Sequence, residues 1–158
     1  MNLIYIEWLK LKRLNTFKVI LIVYAFLLPF IFLSLSVMNY KGFAFPSSIF
    51  QFPDVYHYVT YISSYFNLII GVIIVVFTCD EIKYKTQRQN MIDGLSKKEI
   101  ILSKFYVVVF LSILITAYAF LISVLFGAIY GSASDLFEGI RYIGFYFICT
   151  FGYFIFAY

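Results

Sequence analysis

The chain has 158 residues, 63% of them hydrophobic and only 13% charged, with a mean hydropathy of +0.94. A soluble domain is typically about 45–50% apolar and about 25% charged, so this composition excludes a water-facing globule and makes lipid the expected solvent. The net charge is +4, but the charges lie between long apolar runs rather than on one soluble face, which argues against nucleic acid as a partner.

The first segment, residues 2–18, reads as a helix lying in the membrane interface. Ile4, Trp8 and Leu11 share one face at helical spacing, with Leu3 and Leu14 beside them and Lys12 and Arg13 roughly opposite. A solvated lead into the first span is the alternative. The first uncharged run covers residues 19–38 and contains Pro29, which is expected to kink it. Ser34-Leu35-Ser36 loosely imitates a signal cleavage site. The long, partly apolar flank and the bulky aromatics within the run argue against cleavage.

Pro53-Asp54 suits the start of a helix, where a missing N–H is harmless and a carboxylate complements the dipole. The second run follows at residues 55–79, with Tyr56, Tyr58, Tyr61 and Tyr65 expected to form an external aromatic belt. The third run is residues 105–130 and the fourth is residues 142–158. A bilayer core of about 30 Å needs about 20 residues at 1.5 Å rise. The fourth run is short of that and still apolar at Tyr158, so the chain is expected to be a portion of a longer protein.

Lysine and arginine counts set the orientation. Lys10, Lys12, Arg13 and Lys18 precede the first span, and Lys83, Lys85, Arg88, Lys97, Lys98 and Lys104 lie between the second and third. The other two connections hold one each, Lys41 and Arg141. By the positive-inside rule the N-terminus and the central loop face the cytoplasm of a bacterial plasma or inner membrane.

Catalysis finds little support. The first three runs contain no Asp, Glu, Lys or Arg, and their single His, His57, stands at the outer edge of the second, so Ser63, Ser64, Ser112, Thr116 and Ser123 lack a base within the membrane and read as interhelical hydrogen-bonding groups. Cys79 and Cys149 read as buried apolar thiols, and His57 as an interfacial side chain without a second metal ligand. Neither a metal nor a bound cofactor is expected.

The loop at residues 80–104 is the informative segment. Asp80 is placed to cap a helix ending near Asp93, and Gly94 supplies a stop. Ser96 and Glu99 then form a capping-box pattern at the start of the next helix. Within this loop Glu81 leaves the second span, Thr86-Gln87-Arg88 follows, then the Gly94 turn, Ser96-Lys97, and Lys104 opening the third span. This order, together with Glu7-Trp8-Leu9-Lys10-Leu11-Lys12 at the start, resembles the permease subunits of type-2 ATP-binding-cassette exporters. Lys85 and Gly94 depart from it, where many relatives have Gly and Pro.

The resemblance covers essentially the whole chain. It implies an all-α integral membrane protein, in which an N-terminal interfacial helix and four transmembrane helices form part of a six-helix permease domain. It also implies a second permease subunit, as a homodimer or heterodimer, and an ATPase subunit docked on the loop through Glu81, Thr86, Arg88, Gly94, Ser96 and Lys97. No Gly-x-x-x-x-Gly-Lys-Ser/Thr occurs in the chain, so ATP would be bound by that partner. Lipid headgroups are the plainer partner for any single basic residue here. A non-transporting immunity or assembly factor is the alternative function.

Overall fold

The computed structural model describes residues 15–40, 47–83, 91–92, 96–130 and 139–158. Among these, the ordered elements are four long helices and one short 3₁₀ turn, with no strand. The helices are α1 (Asn15–Tyr40), α2 (Asp54–Lys83), α3 (Lys97–Tyr130) and α4 (Ile140–Ala157). The 3₁₀ turn is Ser47–Phe50. All four helices are long and apolar enough to cross a membrane. Of the segment at residues 2–18, only the last four residues are described, and they belong to α1.

Each helix buries one stripe at helical spacing. Tyr24, Leu28 and Phe32 form the stripe of α1, and Val55, Tyr56, Val59, Ser63, Asn67, Ile70 and Ile74 that of α2. On α3 the stripe runs from Ser103 through Leu111, Ile115 and Ala119 to Phe126, and on α4 it is Tyr146, Thr150 and Phe154. Helix α4 packs on both α2 and α3, while α1 lies mainly against α2. The opposite faces carry Phe26, Phe30, Ile148 and Phe156 in the open, the last 91% exposed. So much bare apolar surface is unsustainable in water and natural against lipid or other membrane helices.

Pro29 lies inside α1, which continues unbroken through it. Proline has no N–H, so the carbonyl four residues earlier, that of Ala25, loses its helical donor. The Tyr118 hydroxyl of α3 donates to this carbonyl at 2.5 Å. A neighbouring helix thus supplies the bond that the sequence removes, as membrane interiors require.

Helix α2 begins at Asp54, with the Val55 N–H bonded to the Gln51 carbonyl and that of Tyr56 to the Pro53 carbonyl. At its far end it runs straight through Asp80 to Lys83. Asp80 therefore does not cap a separate helix, because nothing between Phe77 and Lys83 breaks the ladder, and Thr78 returns its hydroxyl to the Ile74 carbonyl within it.

Three other expectations need correction. Tyr56 is no belt residue: it is buried, stacked on Phe120 and tilted against Phe52. Tyr61 and Tyr65 face outward, since they fall off the α2 stripe, whereas Tyr58 is half-buried against the core. Cys79 and Cys149 are exposed rather than buried, as a small apolar thiol can be when the surroundings are lipid. Among the five hydroxyl residues, only Ser63 bonds across helices. Ser64, Ser112 and Ser123 return to carbonyls of their own helices, and Thr116 Oγ1 is buried without a partner.

Candidate functional site

Two polar regions stand out, one at the water-side end of α3 and one within the bundle. At the first, the Ser96 backbone N–H donates to Glu99 Oε2 at 2.8 Å, and the Ser96 hydroxyl donates to the same oxygen at 2.8 Å. In return the Glu99 N–H donates to Ser96 Oγ at 3.3 Å. This is the reciprocal pattern of a capping box, which satisfies helix-end donors that otherwise have no partner. The Ser96 N–H, followed by its hydroxyl, holds the Glu99 carboxyl below the usual carboxylate range.

The cap fixes where α3 begins. From there 34 residues continue as one helix, about 51 Å long against a hydrocarbon core of about 30 Å. The charged first turns, with Lys97, Lys98 and Glu99 exposed, therefore project beyond the core. Of the loop residues singled out in the sequence, Ser96 and Lys97 sit at this projecting end, and Glu81 lies in the last turn of α2. Thr86, Arg88 and Gly94 lie outside the described residues. Met91 and Ile92 are helical and exposed, Ile92 by 84%. Sequence reading passed over these two because an apolar pair between basic residues resembles a membrane flank.

The second region joins α1, α2 and α4. Tyr24 of α1 shares a hydrogen bond of 2.5 Å with Ser63 of α2, and Ser63 shares another of 2.8 Å with Tyr146 of α4. The Tyr146 hydroxyl also reaches Asn67 Oδ1 at 3.3 Å, and Asn67 Nδ2 donates to Thr150 Oγ1 at 2.8 Å. Ser63 and Asn67 are one turn apart on α2, as Tyr146 and Thr150 are on α4, so the two pairs meet side by side. One turn further, Gly71 lets the Tyr153 ring lie directly on the α2 backbone; any Cβ there would overlap it. This seam is closed to nucleophilic chemistry, since the partners of Ser63 are phenols rather than a base. Among the described residues no group of three His, Cys, Asp or Glu side chains is placed to hold a metal ion.

The 3₁₀ turn seals the other end of the bundle. Its Phe50 packs against Tyr130, and Phe52 sits against Gly127, where a side chain would strike its ring. Nearby His57 stacks on Tyr61 and meets Tyr142 edge-on, in line with an interfacial setting.

The family model described as "ABC-2 family transporter protein" matches residues 3–158. No curated protein and no solved structure matches the chain.

Proposed function

The chain belongs to the ABC-2 family of transporter proteins, a family of membrane transport subunits rather than enzymes, and from that premise we propose that it couples ATP hydrolysis by a separate ATPase subunit to export of a substrate. The observation that carries this reading is the family match across nearly the whole chain. In the proposal the N-terminus and the loop at residues 80–104 face the cytoplasm of a bacterial cell membrane. The ATPase docks on that loop through Glu81, Thr86, Arg88, Gly94, Ser96 and Lys97. A second permease subunit completes the transporter, and the chain supplies four of the six spans of its permease domain.

The local physics favours such coupling. Helix α2 enters the loop without a break, and α3 leaves it through a fixed cap. A contact at the loop is thereby joined to two continuous membrane helices, an arrangement that carries a rigid-body displacement. Exposed Ile92 offers the apolar anchor that a docking surface needs, and Lys97 a charged rim.

The test is affinity purification of the chain with its co-expressed ATPase, followed by transport assays. Wild type is expected to retain the ATPase, and R88E with K97E to lose both retention and transport. Undiminished ATPase retention and transport in the double reversal would remove these residues from the docking surface.

A further inference from the structure

The first turns of α3 and the last turns of α4 enclose a cavity of about 250 Å³. Ile101, Phe105, Val108 and Ile155 wall it, and Lys104 and Tyr158 edge it. Val108 forms a buried floor, whereas Ile101, Phe105 and Ile155 are 69%, 45% and 46% exposed. The slot is therefore open along one side. Phe105 is braced edge-on by Phe151 at 5.8 Å, and Lys104 Nζ lies 4.8 Å from the centre of the Tyr158 ring. The volume is below the roughly 300–1,000 Å³ of pockets that enclose a whole small ligand. It suits part of a narrow apolar chain.

Charge selects the other end of the occupant. Lys97 is seven residues before Lys104, two turns or about 10 Å nearer the water on the same stripe of α3. A ligand with its tail in the slot thus meets ammonium groups where its head would be. Basic pockets between membrane helices on the cytoplasmic side bind anionic headgroups in this way. Free phosphate would use the lysines but gain nothing from the apolar walls.

We propose that the α3–α4 slot binds one acyl chain of an anionic phospholipid, with the lipid phosphate held by Lys104 and Lys97 outside it. Assignment to the cytoplasmic leaflet rests on the orientation proposed above; the slot and its headgroup preference do not depend on it, nor on the ATPase.

The test uses the full chain, extracted from vesicles of equal phosphatidylglycerol and phosphatidylcholine, with retained lipid counted by native mass spectrometry. Wild type is expected to retain phosphatidylglycerol preferentially. K104Q should lower that retention about five-fold, the effect of one basic residue near a membrane surface, while K18Q, exposed on α1 and outside the slot lining, changes it less than about two-fold. I101W should also lose the lipid, because the indole fills the slot while Lys104 remains. Ile101 is exposed and tolerates bulk, and circular dichroism confirms that each variant folds. Equal losses in K104Q and K18Q would mean diffuse charge and overturn the site. Wild-type retention in K104Q or in I101W would overturn it too, as would displacement of the lipid by inorganic phosphate alone.

Discussion

In the α2–α4 seam, Ser63, Asn67, Tyr146 and Thr150 exchange hydrogen bonds between two helices inside the membrane; at the start of α3, Ser96 and Glu99 exchange them within one turn at the surface. The distances are alike in the two places, but the solvent is not. In hydrocarbon a polar group that loses its partner has no water to replace it. At the helix end, water competes for every bond, so the cap sets where α3 begins more than how strongly the bundle holds. The seam belongs to stability, whereas the capped end is exposed.

The sharpest way to break this comparison is to attack the closest approach in the seam. Gly71→Leu forces a side chain into the Tyr153 ring, and we expect a loss of about 3 kcal/mol, at the upper end of overpacking effects. Tyr153→Ala in the same chain should restore much of it, as followed by thermal unfolding in detergent. If Gly71→Leu is neutral, the helices are not held that closely.

Removing the hydrogen bonds should cost less. Asn67→Ala strips one partner from Tyr146 and one from Thr150. Membrane double-mutant cycles average about 0.6 kcal/mol and reach about 1.7 kcal/mol, so a loss of about 1.5 kcal/mol is expected. The loss should shrink in a Tyr146→Phe background, because the two changes share a bond. Additive losses would mean that the seam is not a connected chain.

Next comes the tie between α1 and α3. Tyr118→Phe leaves the Ala25 carbonyl without its donor, with an expected loss of about 0.6 kcal/mol. Pro29→Ala returns a helical N–H to that carbonyl and should make Tyr118→Phe nearly silent. A full Tyr118 effect in the Pro29→Ala background would refute the account of the proline.

The smallest effect is expected at the surface. Because the folded Glu99 carboxyl titrates below its ordinary value, the cap is fully present above the unfolded pKa and is lost as pH falls through the folded one. The difference in unfolding temperature between wild type and Glu99→Ala should therefore be small at neutral pH and vanish well below about pH 4. A difference that persists in acid would show that Glu99 acts through something other than its charge.

This contrast also explains what was legible in the sequence. Uncharged runs between basic segments announced the spans, since a charge within hydrocarbon is too costly to appear there by chance. The Ser96–Glu99 box was legible because its partners are three residues apart. The seam was not: Tyr24, Ser63, Tyr146 and Asn67 meet from positions 39 to 83 residues apart, and tyrosines are numerous enough in this chain to pass as interfacial anchors. Pro29 suggested a kink, but nothing local named Tyr118 as the donor to the carbonyl it frees. Asp80 misled because a good capping residue caps only where a helix starts, and α2 had not ended.

The central claim is that the cytoplasmic loop, rather than any other surface, meets an ATPase. A photo-crosslinking amino acid placed in turn at Lys97 and at Tyr61, which is exposed on α2 toward its Asp54 end, tests it directly in cells expressing both subunits. The account predicts an adduct with the ATPase from position 97 and none from position 61. An adduct from position 61, or none from position 97 while the two proteins still purify together, would contradict it.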